Sequence, residues 1–344
     1  QWHPGSTVRA SRRQLSMNRC EMTRGTDVEQ FQAELVDACS WGEEERAREV
    51  VSRIGTESSA RGALEAMLED SDALVRQAAV FGLGVLGGSA SARRLEQQLA
   101  LEEAREDYDG DSVVEEIIRA LGRIEDADAR RALVRKLERL AAAGPEPRDV
   151  NPVATALWKR RHPDLLPILR RSLDQMDPKD WGLLEGLHVL LEKTPDELLT
   201  WAREPSVPVE RKTRVVTVLD AELPLALVAT LPSFILAAAS MVEDAVRHEG
   251  EASRYCDRLF SLLLLYKEQV FPSLPEEVRT ELRTLARRLV VSVDPSCSLG
   301  AAVVLKHVGR PEDAALLEAH RPAEPTLAKV FEEASRVLRG FSQG

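Results

Sequence analysis

The sequence predicts an all-α fold built as a right-handed stack of antiparallel helix pairs. Apolar residues recur at three- and four-residue spacing along most of the chain, as on the buried face of an amphipathic helix. Aromatic residues make up only 4% of the 344 residues, so the core must consist mainly of Leu, Val and Ala, which suits closely packed helices. Only the run Val-Val-Thr-Val at 215–218 has the composition of a strand, and it continues into Leu219 at helical spacing.

The clearest helix is predicted over residues 72–87, which read DALVRQAAVFGLGVLG. Asp72 can cap the first free amide groups, and Gly87 supplies a stop. Gly82 and Gly84 lie inside the helix, where each glycine costs roughly 1 kcal/mol relative to alanine. We therefore expect these two glycines to mark places where another helix approaches closely.

This stretch resembles the second helix of a HEAT repeat, D-x-x-V-R-x-A-A-x-x-L-G-x-L-G, with Asp72 and Arg76 as its characteristic pair. The resemblance covers about residues 43–143 and 295–320 and is weak between them. Repeats of paired helices at such periods are typical of helical solenoids. The resemblance implies a HEAT-like α-solenoid whose second helices line a concave side. The glycines that close the candidate second helices are Gly55, Gly84, Gly122 and Gly309.

The chain divides into four predicted segments. Residues 1–25 are rich in arginine, lack apolar periodicity and are predicted to form a disordered basic leader. HEAT-like repeats are predicted over 26–143 and more divergent helical repeats over 144–294. A C-terminal HEAT-like repeat with a capping helix is predicted over 295–344.

Prolines of the middle third are predicted to begin helices. Asn151, Asp177 and Thr194 each stand directly before a proline, which places a capping residue next to the residue best tolerated in a first helical turn. Glu197 is placed to complete a capping box with Thr194.

The run 223–242 contains no charged residue and is long enough for a membrane span. Pro224 and Pro232 divide it, and no Lys/Arg cluster sets an orientation. We predict a buried pair of helices with no membrane span. A membrane-associated scaffold is the alternative.

The net charge and the sequence motifs disfavour several classes of function. A net charge of −11 disfavours general binding to nucleic acid. The four cysteines form no C-x-x-C pair, which fits a reducing compartment, so a cytoplasmic location is predicted. No P-loop occurs, and the G-x-G-x-x-G string at 82–87 has no strand before it, so no cofactor is predicted.

An acidic loop has part of the pattern of a calcium site. Asp107, Asp109 and Asp111 have the spacing of the first ligands of an EF-hand loop. The glycine and the bidentate glutamate of such a loop are replaced by Ser112 and Ile118. We therefore predict no metal site and expect Asp111 to cap the helix that follows.

Aligning the candidate second helices places two polar columns on one helix face. The first column contains Ser52, Phe81, Arg119 and Lys306, and the second, four residues earlier, contains Arg48, Gln77, Glu115 and Ala302. Phe81 is the aromatic member of a column expected to face water, so it is a candidate binding anchor. Alternatively, its ring packs against a neighbouring repeat. The predicted partner-binding residues are Arg48, Gln77, Phe81, Glu115 and Arg119.

These features predict a non-enzymatic scaffold or adaptor that binds a protein or peptide on its concave surface. The alternative is a HEAT-like enzyme with a site in the groove, such as a DNA glycosylase or a small-molecule lyase. Its candidate site is the basic patch of Trp158, Lys159, Arg160 and Arg161, since HEAT-like glycosylases trap a lesion with Trp and Asp residues. The patch also reads as a helix end whose basic side chains complement the helix dipole.

Overall fold

The structure is a computed structural model that describes residues 28–54, 57–144, 147–247 and 250–340. Within these ranges it is helical and contains no strand, which confirms the all-α class. The predicted leader at 1–25 and the repeat glycine Gly55 lie outside the described residues. The chain forms two compact units, Gln1–Lys136 and Leu137–Gly344.

The helices of residues 28–142 are α1 (28–40), α2 (Glu44–Arg53), α3 (Glu57–Met67), α4 (Ala73–Leu86), α5 (Gly88–Glu103), α6 (Tyr108–Arg123) and α7 (Ala127–Ala142). Helices α2, α4 and α6 pack beside one another in that order. Helix α3 packs against α4, and α5 packs against both α4 and α6.

Helix α4 begins and ends as the sequence predicts. The Asp72 carboxylate accepts a hydrogen bond from the Leu74 amide at 2.9 Å. Gly87 has a φ of 67°, in the region that favours glycine, and its amide donates to the Leu83 carbonyl.

The two glycines inside α4 allow close packing against two neighbours. A Cβ at Gly82 would collide with the side chain of Leu64 on α3. A Cβ at Gly84 would lie 3.0 Å from Ala120 Cβ and 3.3 Å from Ala120 Cα on α6. The predicted packing role of both glycines is therefore confirmed.

Arg76, the arginine of the motif that resembles a HEAT repeat, turns into the core. Arg76 is 1% exposed, and its Nε lies 2.8 Å from a carboxylate oxygen of Glu102 on α5. Its Nη1 also donates to the Asp70 carbonyl at 3.0 Å. This buried ion pair ties α4 to α5 and satisfies both charges away from water.

Helix α6 begins one turn earlier than predicted. Asp107 caps it, since its side chain accepts a hydrogen bond from the Gly110 amide at 2.6 Å. Asp111, predicted to be the cap, lies inside the first turn with Asp109, where carboxylates are favourable at a helix N-terminus. No group of three or more His, Cys, Asp or Glu side chains in the described part of the chain is placed to hold a metal ion.

The helices of the second unit that follow are α8 (Val150–Lys159), α9 (Leu165–Gln175), α10 (Leu183–Glu192), α11 (Pro195–Arg203), α12 (Val209–Ala221), α13 (Leu225–Val228), α14 (Leu231–Ser240), α15 (Val242–Val246), α16 (Ala252–Leu265), α17 (Lys267–Val270), α18 (Glu276–Leu289), α19 (Pro295–Val308), α20 (Asp313–Ala319) and α21 (Pro325–Gly340). Short 3₁₀ turns lie at Pro178–Asp180 and Phe271–Ser273. These helices form two packed series. In one, α8, α10, α12, α16, α19 and α21 each contact the next, and in the other α11, α14 and α18 do so.

The predicted caps of the middle third have three different outcomes. Thr194 and Glu197 form the predicted capping box. Asp177 begins only the 3₁₀ turn before α10. Asn151 lies inside α8, and its Oδ1 accepts a hydrogen bond at 2.8 Å from the amide of Leu183, the first residue of α10. Asn151 therefore helps to cap a helix other than the one predicted.

The uncharged run 223–242 divides into α13 and α14 at the prolines, as predicted. Leu231, Phe234 and Ile235 on α14 are fully buried. Among the described residues no helix has the length and apolar character needed to cross a membrane. The alternative strand at 215–218 is part of α12.

Asp313, at the start of α20, is a buried carboxylate with several hydrogen-bond donors around it. It is fully buried and accepts hydrogen bonds from Arg283 Nε at 2.6 Å, from the Arg310 amide at 2.8 Å, and from Arg287. Burial acts to raise the pKa of Asp313, but these hydrogen bonds outweigh it and lower that pKa below its ordinary value.

We expect Gly84→Leu to lower the free energy of unfolding by about 1–3 kcal/mol, because the new side chain overpacks the contact with Ala120. Gly62→Leu on α3 is the matched control, since a Cβ there meets no atom within 4 Å and the helix gains up to about 1 kcal/mol. Urea unfolding followed by circular dichroism measures both. Equal effects of the two substitutions would contradict the close approach of α4 and α6.

We expect Asp313→Asn to lower the free energy of unfolding by about 2 kcal/mol at neutral pH. This loss is smaller than for a fully buried ion pair, because Arg287 is partly exposed. The ionised carboxylate stabilises the fold above an unfolded pKa of about 3.9, and this contribution is lost as the pH falls through the lower folded value. Urea unfolding between about pH 2 and pH 7 should therefore show a weaker acid dependence for the variant. Glu312→Gln is the control, because Glu312 is an exposed partner of the same Arg283.

Candidate partner-binding site

The predicted binding residues lie on three helices that pack beside one another. Gln77 on α4 is linked to α6, since its Nε2 donates a hydrogen bond to Ser112 Oγ at 2.7 Å. The predicted residues are Arg48 on α2, Gln77 and Phe81 on α4, and Glu115 and Arg119 on α6. The α2–α4–α6 face is defined as these five residues together with Glu116 and Arg123.

Phe81 is covered by arginine side chains and does not face water. The Arg123 guanidinium lies 4.9 Å from the centroid of its ring, and the Arg48 guanidinium lies 5.9 Å from it. Both distances are in the range of cation–π interactions. The Phe81 side chain is only 5% exposed, so the prediction of an exposed aromatic anchor is wrong. Its column was expected to be solvated because the alignment could not show which side chains cover it.

Arg123 and Glu116 occupy the centre of the face, and sequence reasoning missed both. Their side chains are 15% and 12% exposed and form an ion pair at 3.1 Å. Residues seven apart lie on the same side of a helix, and the long Arg123 side chain extends back towards Glu116. Glu116 also pairs with Arg119. The three residues share a spacing of three and four, which is the signal that could have identified them.

The edge of the face carries exposed ion pairs within single helices. Arg48 lies 3.5 Å from Glu44, and Arg119 lies 2.7 Å from Glu115, in both cases four residues apart. The side chains of these four residues are 42–59% exposed. Exposed pairs of this kind contribute little to stability, so their charges can exchange partners at low cost.

Cys39 on α1 lies close enough to the face to respond to its charges. Burial raises the pKa of the Cys39 thiol to about 12; the charge of Glu116 adds to this shift, and the charge of Arg123 opposes it. The thiol is therefore protonated at neutral pH and is a poor nucleophile.

The basic patch predicted for the alternative function is built around a core tryptophan. Trp158 is 2% exposed, and its Nε1 donates a hydrogen bond to the Glu222 carbonyl at 2.7 Å. Arg161 lies 4.7 Å from the Trp158 ring centroid and pairs with the Glu222 carboxylate at 2.8 Å. The indole has no open face on which a base could stack, so an exposed Trp158 is contradicted. Lys159 and Arg160 stand at the end of α8, where basic side chains complement the helix dipole.

Comparison with models of known protein families found no match for the chain, and comparison with curated protein sequences found none. The HEAT resemblance therefore depends on the sequence pattern of α4 and its related helices. The all-helical structure is compatible with a helical-repeat architecture.

We expect Phe81→Ala to lower the free energy of unfolding by about 3–5 kcal/mol, as is usual when a buried aromatic ring is removed. Arg48→Ala, which removes one exposed guanidinium from the same ring, should cost less than about 1 kcal/mol. Urea unfolding of both variants measures the difference. A Phe81→Ala loss as small as that of Arg48→Ala would mean that the ring is not part of the core.

Proposed function

We propose that the chain is a non-enzymatic scaffold or adaptor of HEAT-like α-solenoid architecture that binds a protein or peptide through the α2–α4–α6 face. The row of packed helices α2, α4 and α6 supports this, because stacked helix pairs bring equivalent helix faces side by side. The observation that carries the proposal is the position of two arginines, Arg48 and Arg123, over the buried ring of Phe81, with Arg119 joined to Arg123 through their shared partner Glu116.

The centre of this face is held rigidly. Arg123 is fixed between the Phe81 ring and the Glu116 carboxylate, so little side-chain entropy would be lost when a partner binds over it. Arginine and aromatic residues in such well-packed centres supply much of the energy of protein interfaces. The centre of the face therefore has the composition of a binding hot spot.

The exposed arginines at the edge of the face determine which chemical groups a partner must carry. Among the described residues, the exposed guanidinium groups of Arg48 and Arg119 form ion pairs with glutamates of their own helices. Carboxylates of a partner can replace Glu44 and Glu115 and form two-pronged hydrogen bonds with these guanidiniums. The partner segment is therefore acidic at two positions that match Arg48 and Arg119.

The site residues favour binding of a protein partner over a base-excision activity. A glycosylase-like site needs an aromatic ring that can stack on a base, and Trp158 is enclosed by Arg161 and the core of its unit. The Arg161 guanidinium, which pairs with Glu222, lies over the Trp158 ring. The proposed cytoplasmic location rests on the cysteine spacing alone.

The test is affinity capture from the native cell with wild-type protein and the double variant Arg48→Glu, Arg119→Glu. We expect a specific partner to be depleted at least about tenfold in the variant, because two partner carboxylates lose their charge-assisted hydrogen bonds. Arg254→Glu is the control, since Arg254 is an exposed arginine of the second unit whose ion pair within the described ranges is with Glu251, three residues earlier. Equal capture by all three proteins would place the binding site elsewhere.

A further inference from the structure

A cavity of about 440 Å³ opens between α20 and α21 in the second unit. Its volume is in the range of small-molecule sites, which is roughly 300–1,000 Å³. Leu317 and Phe331, both nearly completely buried, contribute to its apolar base. Three arginines, two glutamates and one serine form its polar wall: Arg321, Arg336, Arg339, Glu318, Glu332 and Ser335.

Two of the arginines form exposed ion pairs with the glutamates. Arg321 pairs with Glu332 at 2.7 Å, and Arg339 pairs with Glu318. Ser335 Oγ donates a hydrogen bond to the same Glu318 carboxylate at 2.7 Å. These exposed contacts neutralise two of the three positive charges.

Arg336 differs from its neighbours, since it has no carboxylate within 4 Å among the described residues. The charge of Arg336 acts at longer range on Glu333, which is itself paired with Lys306. The cavity wall thus has three positive charges and two negative ones, in a chain whose net charge is −11. A positive excess in a concave site favours a bound anion.

We propose that this cavity binds the oxyanion group of a small molecule, a phosphate or a carboxylate, with Arg336 as the principal ligand. The planar guanidinium presents paired donors that match either group. Arg321 and Arg339 flank the anion, and the apolar base accommodates the rest of the molecule. The site lies in the second unit and is independent of partner binding on the α2–α4–α6 face.

The test is a titration of the full chain, followed by amide NMR shifts, with inorganic phosphate and separately with acetate, against chloride at equal ionic strength. We expect saturable shifts of the α21 amides near Ser335 and Arg339. Arg336→Gln should weaken binding by about tenfold, the loss of one charged hydrogen-bonding group. Tighter binding of phosphate would identify an organic phosphate as the ligand class, and tighter binding of acetate would identify a carboxylate.

Arg254→Gln is the control, because it removes one exposed positive charge from the same unit away from the cavity. It should leave the affinity unchanged. Arg321→Gln is a second variant and should weaken binding less than Arg336→Gln, because Arg321 is already paired with Glu332. Unchanged affinity in Arg336→Gln, or identical shifts with chloride, would overturn the proposal.

Discussion

The close approach of α4 to α6 is the constraint on which the candidate site depends. Gly84 has no side chain, so the two backbones meet at Ala120 without a spacer. This proximity brings Arg123 within reach of the Phe81 ring and lets Gln77 bond across to α6. With a larger residue at position 84 the helices would separate, and the arginine would have no aromatic surface to lie on.

Local chemistry made much of the fold predictable from the sequence. As predicted, α4 is capped by Asp72 and closed by Gly87. The capping box of Thr194 also formed as predicted. Each of these features depends on residues within about one helical turn of each other, which a single sequence displays directly.

The features that could not be predicted depend on residues far apart in the chain. The repeat pattern contains a carboxylate close to Arg76 in sequence, that of Asp72, yet Arg76 pairs with Glu102, 26 residues away. In the candidate site, an alignment column shows that position 81 is equivalent to polar positions. It cannot show that Arg48 and Arg123, one from each neighbouring helix, extend over the ring. The exposure of a side chain depends on the residues that pack around it, and a single sequence does not show which residues these are.

The hydrogen bond from the Leu183 amide to Asn151 has a consequence for how the chain can vary. Because α8 supplies this contact, the start of α10 is fixed in part by an element 32 residues earlier. The segment that leads into α10 contributes as well, since the Leu184 amide donates to the Trp181 carbonyl at 3.0 Å and α9 packs against α10. A change at Asn151, inside α8, would therefore act on the beginning of a helix other than its own.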